Sequence, residues 1–268
     1  MSNNTIISLG CSHSAGSEID GKGDSNYNRK NSFGGVLARD YFKGDWDHQN
    51  FSICGGSNNR IFELTCAVLA DIINKDGVLT PGDDRNFFFL IGWTSLNRVD
   101  LRYPGPERWT QCGDAFKLDQ HMFPGAIGCN PKMIQNSDIR RAFEMAPWYA
   151  DDALKQTQLA AQILAVQSML PAYNIDFYMF NAIENYMRWS AEPPVNWNTD
   201  SVESMYKLID TNTYYYPTDP HQNYYRWCTE QKGHTNMSNK YWHLGQEAHN
   251  DWAGHIFPEI KKTYEHVG

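Results

Sequence analysis

Residues 86–92 (NFFFLIG) constrain the fold most, because the run is nearly all apolar, as expected for a strand covered on both faces. Before this run, the chain alternates between short apolar runs and segments of helical periodicity. Residues 5–9 and 50–53 are predicted strands, whereas residues 32–42 and 58–74 are predicted helices. The alternation predicts a parallel sheet with helices on both faces.

The second half of the chain continues the alternation. The pattern predicts a helix over residues 151–170, a strand over residues 175–180 and a closing helix over residues 246–260 that ends near Pro258. We therefore expect a single α/β domain spanning residues 1–268, with a three-layer, flavodoxin-like arrangement around the sheet.

Two stretches, residues 102–133 and 186–239, fit no regular element and are predicted to be long insertions over the active edge of the sheet. The second is rich in Tyr and Trp. These rings either pack the insertion onto the body of the protein or form a stacking platform for sugar rings, since flat aromatic faces can bind such rings.

Composition and spacing exclude several classes of function. The chain has 23 Lys and Arg against 31 Asp and Glu, which argues against a nucleic-acid partner. No apolar run approaches the ~18 residues that a membrane span needs, and the first seven residues lack a secretory signal, so we expect no membrane partner and a cytoplasmic location. Six cysteines without CxxC spacing and the absence of HExxH, GxGxxG and Walker motifs predict no metal and no cofactor.

Small and polar residues follow each of the first three predicted strands. The three segments are residues 10–16 (GCSHSAG), 54–59 (CGGSNN) and 92–95 (GWTS). Ligands of open parallel sheets bind beyond the carboxyl ends of the strands, so these segments are expected to converge on one cleft. There Ser12 could act as a nucleophile, and His243, just before the closing helix, could act as its base.

The segment around Ser12 resembles the first sequence block of the SGNH (GDSL-type) hydrolases, whose nucleophilic serine follows the first strand. Residues 50–57 are similar to the second block, whose glycine supplies an oxyanion N–H and matches Gly55. Residues 243–253 resemble the last block, in which the catalytic histidine, here His243, leads into the terminal helix. The resemblance implies an α/β hydrolytic enzyme with an oxyanion hole.

Three positions depart from the family pattern. Cys11 stands where an aspartate usually precedes the serine, and Thr94 stands where an asparagine supplies the second oxyanion donor. Lys240 occupies the position of the triad aspartate, so the matched blocks contain only a Ser12–His243 dyad. Loss of the acid costs about 10⁴ in rate in a triad enzyme unless another group replaces it.

Four further residues are predicted to bind substrate: His13, Asn58, Asn59 and Trp93. Alternatives stay open for several of the candidates. Ser12 could be a helix cap, and the two asparagines could cap the helix that they begin. His249 and His13 compete with His243 for the role of base. His249 is expected to face the sheet from the closing helix, whereas His13 is expected to line the cleft.

The predicted function is hydrolysis of a small acyl ester by Ser12 and His243, with O-acetyl groups on a glycan as one substrate class. Residues 55–61 and 92–95 are further similar to phage-encoded family members, which would place the protein in a host cytoplasm or a virion. One alternative is a virion-associated or glycan-binding protein with weak or no activity. A second alternative is an acyltransferase that uses the same residues. The oligomeric state is left open.

Overall fold

Five parallel strands form the central sheet of the computed structural model. The structure describes residues 4–21, 24–43, 45–77, 85–96, 98–102, 109–112, 152–183, 199–237 and 242–264. The sheet contains β1 (Asn4–Gly10), β2 (Trp46–Asn50), β3 (Asn86–Trp93), β6 (Asp176–Asn181) and β7 (Tyr214–Tyr215), and a separate antiparallel pair joins β4 (Val99–Arg102) to β5 (Trp109–Cys112). The order β2-β1-β3-β6-β7 is that of flavodoxin-like folds and confirms the predicted architecture.

Helices flank the sheet. They are α1 (Ser12–Ala15), α2 (Asn26–Asn31), α3 (Phe33–Val36), α4 (Asn58–Asp76), α5 (Asp152–Ala172), α6 (Thr199–Tyr206), α7 (Tyr224–Arg226) and α8 (Gln246–Thr263), with π-helical turns after α3 (Leu37–Tyr41) and after α7 (Trp227–Gln231). Buried residues of α3 and α8 cover one face of the sheet, and those of α4 and α5 cover the other.

Successive residues of the central strands point to opposite helix layers, as strand geometry requires. Ile6 and Phe88 pack with the α3 and α8 layer, whereas Ile7 and Phe89 pack with the α4 and α5 layer. All four side chains are buried. The two-sided burial of β3 confirms what its continuous apolar run predicts.

Two glycines allow α1 to close over the end of the sheet. Gly10 and Gly92 are partners in the register of β1 and β3. A Cβ atom on either glycine would overlap the Ser14 side chain of α1. The absence of side chains therefore lets the turn that carries Ser12 lie directly on the carboxyl ends of two adjacent strands.

The second strand lies earlier than predicted. The strand expected at residues 50–53 is observed at Trp46–Asn50, although Phe51 and Ile53 still donate backbone hydrogen bonds to β1. β2 is an edge strand with polar residues and alternating burial, so it lacks the apolar run that marks the central strands. The apolar side chains that suggested a strand belong to the loop that follows it.

Two predictions about helix ends are also corrected. The cap of α4 is Ser57, whose Oγ accepts a hydrogen bond from the Arg60 N–H at 3.2 Å, and not one of the asparagines. α8 continues through Pro258 to Thr263. Burial of Ile260 against the sheet favours the last turn, although the proline removes one backbone hydrogen bond.

The prediction that residues 186–239 lack regular structure is wrong for residues 199–237, which contain α6, β7 and α7. Tyr214 and Tyr224 are fully buried there, so part of the aromatic richness is core packing. Within the predicted insertion at residues 102–133, β5 is described and residues 103–108 and 113–133 lie outside the described residues. Across the described ranges, no helix is both long and apolar enough to cross a membrane.

Candidate active site

Ser12 begins α1 directly after β1. Cys11 occupies the cap position, so the alternative interpretation of Ser12 as the helix cap is wrong. The one-turn helix ends at Gly16, whose φ of 72° is favourable only for glycine. The Ser12 side chain is 4% exposed, and its hydroxyl forms no hydrogen bond within the described ranges, His243 included.

A carboxylate supports His243. The Nδ1 atom of His243 lies 3.1 Å from Glu18 Oε2, and the two side chains are 17% and 13% exposed. A carboxylate can only accept, so neutral His243 donates its Nδ1 proton to Glu18 and leaves Nε2 as an acceptor. This is the tautomer that a general base needs.

The backbone around His243 is also held in place. The Met237 N–H donates to the His243 carbonyl at 2.9 Å, and Asn236 and Leu244 form an antiparallel bridge. Burial lowers the pKa of His243, and Arg98 lowers it further, whereas the hydrogen bond and charge of Glu18 raise it.

His13 lies between His243 and a group of tyrosines. Its ring centroid is 5.5 Å from that of His243 and 5.7 Å from those of Tyr224 and Tyr225. The side chain is 4% exposed, and its buried Nδ1 has no hydrogen-bond partner in the part of the chain described. Burial, followed by the charges of His243 and Arg98, holds the pKa of His13 well below its usual value. His13 is therefore neutral, and its Nδ1 atom can form a hydrogen bond with a ligand.

Arg98 lies in the loop after β3. It is partly buried, and its Nη1 atom is buried without a hydrogen-bond acceptor among the described residues. Its charge lowers the pKa values of both His13 and His243. The guanidinium therefore favours neutral histidines at this edge of the sheet.

The two predicted oxyanion residues follow β2 and β3, the strands on either side of β1. Gly55 is partly buried and has a φ of 73°, a conformation that favours glycine. Thr94 is fully buried, and its hydroxyl has no partner within the described ranges. Its backbone N–H donates to Asn58 Oδ1 at 2.8 Å, while Asn58 Nδ2 donates to the Thr94 carbonyl at 3.0 Å.

Asn58 and Asn59, two of the residues predicted to bind substrate, form side-chain hydrogen bonds within the protein. Both amide atoms of Asn58 bind the Thr94 backbone, so Asn58 holds the start of the loop that follows β3. The exposed Asn59 accepts a hydrogen bond from Gln162 of α5 at 2.6 Å.

Trp93, which is predicted to bind substrate, lies in the core. The Trp93 side chain is fully buried in the α4 and α5 layer, and its Nε1 faces Met179 Sδ at 3.4 Å. Strand alternation places Trp93 on the same face of β3 as Phe89 and Ile91, which pack in that layer.

His249 faces the sheet, as expected. The Phe33 N–H donates to its Nδ1 at 3.2 Å, so Nε2 carries the proton and donates to the Tyr224 hydroxyl at 3.3 Å. The ring is 1% exposed, and burial lowers its pKa to about 3. His249 is thus a neutral core residue and does not compete with His243.

Sequence reasoning missed Glu18 and Arg98. Glu18 follows Ser12 by six positions and could have been noticed as the acidic residue of the same block, but nothing in its spacing points to His243. Lys240, the residue at the expected acid position, lies outside the described residues.

A cavity of about 650 Å³ lies at the edge strand β7, and its walls include Tyr178, Tyr215 and Glu259. None of the residues around His243 lines it. The cavity is therefore separate from the histidine site.

The fold and site define a three-layer α/β protein with a buried serine, a histidine pair and a carboxylate–histidine contact at the carboxyl edge of its sheet. The chain belongs to a family of unknown function, DUF6071, whose model matches residues 16–192.

Comparison with curated proteins finds no match. Among solved structures, the chain is similar to the psychrotrophic esterase EstA from Pseudoalteromonas sp., inhibited by monoethylphosphonate, with 15% identity, coverage of 97% of each chain and a TM-score of 0.43. It is also similar to a catalytic mutant of Axe2, an acetylxylan esterase from Geobacillus stearothermophilus, with 13% identity, coverage of 96% of this chain and 93% of that chain, and a TM-score of 0.43. Similarities of this size bear on neither the activity nor the substrate of this chain.

Proposed function

We propose that this chain is a serine esterase that hydrolyses a small acyl ester, with Ser12 as nucleophile, His243 as general base and Glu18 as the acid that orients His243. The observation that carries the proposal is the 3.1 Å contact between His243 Nδ1 and Glu18 Oε2. It supplies the carboxylate that the sequence lacks at Lys240, and it leaves Nε2 able to accept a proton.

In the proposed reaction, Ser12 Oγ bonds to the ester carbonyl carbon while its proton passes to His243 Nε2. The carbonyl oxygen becomes an oxyanion, which accepts hydrogen bonds from the backbone N–H groups of Ser12 and Gly55 and from the Thr94 hydroxyl. Cleavage of the bond to the alcohol oxygen releases the alcohol, which takes the proton from His243. Water then attacks the acyl-serine with His243 again as base, which releases the acid and restores Ser12.

Three features of the site support this chemistry. The burial that lowers the pKa of His243 keeps the ring neutral and able to accept a proton at neutral pH. The buried hydroxyl of Thr94, which has no partner among the described residues, can donate to an oxyanion without first breaking a hydrogen bond to any of them. The small exposed fraction of Ser12, 4%, favours a small acyl group such as acetyl.

The test is active-site labelling with a fluorophosphonate, together with hydrolysis of 4-nitrophenyl acetate. The Ser12→Ala variant should lose labelling and at least 10³-fold in kcat/KM, on the order of the cost of losing a catalytic nucleophile. Ser14→Ala is the matched control, since Ser14 lies in the same helical turn and its buried hydroxyl has no partner in the described structure. Esterase activity or labelling that survives in Ser12→Ala would remove the proposal.

A binding protein without turnover is the second candidate. It is favoured by one observation, namely that the Ser12 hydroxyl is buried and not hydrogen-bonded to His243. In the esterase, a hydrogen bond between Ser12 and His243 must form when substrate binds, as happens in many hydrolases. A ligand-dependent rise in Tm with no turnover of aryl acetates, in a properly folded wild type, would favour the binding protein.

A further inference from the structure

Two aromatic side chains extend from the histidine pair to the protein surface. The Tyr225 ring lies 5.7 Å from the His13 ring, and the Trp242 ring is stacked on Tyr225 at 6.0 Å with 22° between the planes. Trp242 directly precedes His243 and is 69% exposed. Tyr225 and Trp242, the aromatic shelf, thus connect the His13 ring, which contacts the proposed base, to an exposed ring at the surface.

The shelf is held in place before any ligand binds. The Tyr225 hydroxyl donates to Asn236 Oδ1 at 3.1 Å, and Asn236 pairs with Leu244 in the antiparallel bridge beside His243. The Met237 N–H donates to the His243 carbonyl in the same bridge. The bridge therefore fixes the shelf relative to His243, so a ligand on the shelf pays little ordering entropy.

The chemistry of the shelf combines an apolar face with a polar edge. Single exposed hydrophobic residues are ordinary, but here two stacked rings continue inward to a polar site. The Asn236 amide and the Tyr225 hydroxyl lie at the edge of the ring surface, and all three side chains are uncharged. A sugar ring matches this arrangement, because its C–H face can lie on aromatic rings while its hydroxyl groups hydrogen-bond at the edge.

We propose that the aromatic shelf binds the sugar ring that forms the alcohol part of the ester, an assignment that rests on the esterase function proposed for Ser12 and His243. The ester oxygen then lies near His243, which protonates the departing alkoxide to give the sugar hydroxyl. Small aliphatic esters reach Ser12 without using the shelf. An aryl ester can use the ring surface but leaves the Asn236 amide without a ligand partner.

The test compares Trp242→Ala with wild type on an O-acetylated methyl glycoside, ethyl acetate and phenyl acetate. For the glycoside, KM should rise about three- to tenfold with kcat within twofold, as expected for loss of one ring contact. For ethyl acetate, kcat/KM should stay within twofold. Leu208→Ala, which removes an apolar side chain of similar exposure (71%) outside the shelf, is the matched control and should resemble wild type on all three esters.

Three outcomes would overturn the assignment. An unchanged KM for the glycoside would show that the shelf does not bind it, and an equal loss on ethyl acetate would show that the variant damages His243 instead. A KM increase for phenyl acetate as large as that for the glycoside would show that the shelf selects flat rings in general. The Tyr225→Phe variant adds an independent check, since it keeps the ring but removes the hydrogen bond to Asn236, and it should weaken glycoside binding only.

Binding measurements separate failure of this inference from failure of the proposed function. Ligand-observed NMR with the O-acetylated methyl glycoside should show binding to wild type and to Ser12→Ala, and weaker binding to Trp242→Ala. If no ester is hydrolysed but this ranking holds, the esterase function is wrong, and the shelf binds a sugar ring that is not part of a hydrolysed ester. If esters are hydrolysed but Trp242→Ala binds the glycoside as well as wild type, the shelf assignment alone is wrong.

Discussion

Glu18 and His243 are 225 positions apart in the sequence, and their side chains form a hydrogen bond of 3.1 Å between Nδ1 and Oε2. Glu18 has a φ of 67°, an uncommon backbone conformation for a residue other than glycine. The turn after α1 therefore directs a carboxylate toward the loop that precedes α8. In the proposed esterase, this contact replaces the aspartate expected at Lys240.

Replacing Glu18 with Gln should lower kcat about 10²- to 10⁴-fold, because the orienting carboxylate is lost. Glu18 raises the pKa of His243, so the acid limb of the kcat/KM profile should also shift to lower pH in this variant. The pH dependence of 4-nitrophenyl acetate hydrolysis provides the measurement. Glu63→Gln, an exposed partner of Arg60, is the control and should keep the wild-type profile. Wild-type kcat in Glu18→Gln would show that Glu18 does not act through His243.

Replacing Arg98 with Gln should move the same acid limb in the opposite direction. Arg98 lowers the pKa of His243, so removal of its charge raises that pKa and the activity falls off at a higher pH than in wild type. The experiment is a kcat/KM profile at low ionic strength, where such charge effects are largest. Arg39→Gln, an exposed residue paired with Asp40, is the matched charge control. A shift to lower pH in Arg98→Gln would contradict the electrostatic arrangement of the site.

Replacing Asn58 with Ala should destabilise the protein by about 1–3 kcal/mol, because the buried backbone N–H and carbonyl of Thr94 both lose their partner. Urea unfolding, followed by circular dichroism, measures the change in the free energy of unfolding. The neighbouring Asn59→Ala removes only an exposed contact with Gln162 and should change it by less than about 0.5 kcal/mol. Equal stabilities of the two variants would be inconsistent with a structural role for Asn58.

The free energy of unfolding should fall as the pH is lowered from 6.5 toward 3. Burial lowers the pKa of His249 to about 3 and that of His48 to about 4, both from 6.5. Between pH 6.5 and these lowered pKa values, the two histidines bind protons in the unfolded chain but not in the folded chain. Their contribution to stability is therefore fully present above pH 6.5 and decreases as the pH falls. Each such histidine contributes a slope of about 1.4 kcal/mol per pH unit.

Urea denaturation at a series of pH values measures this slope for wild type and for His249→Gln. The variant should lose stability at every pH. The slope of its unfolding free energy against pH should also be smaller by about 1.4 kcal/mol per pH unit, the contribution of one proton. An unchanged slope would mean that His249 takes up a proton in the folded state. His234→Gln is a control, because His234 forms a partly exposed contact with Asp251 rather than a buried one.

Much of the sheet could be predicted because its strands have local signatures. The apolar run of β3 and the glycines at or next to the ends of β1 and β3 are visible in the sequence, and the structure confirms these strands. β2 and β7 were harder, because β2 is a polar edge strand and β7 comprises only two residues. A short or polar edge strand forms by pairing with its neighbour and not from its own periodicity.

The sequence by itself determined where the sheet, its main helices and the small-residue turns lie, because strand and helix periodicities and glycine turns are properties of neighbouring residues. It also singled out Ser12 and His243. Only the tertiary structure brought Glu18 to His243, placed Trp93 in the core and stacked Trp242 on Tyr225. Such contacts depend on how the layers pack and which way each side chain points, and these are decided only when the whole sheet and its helices assemble.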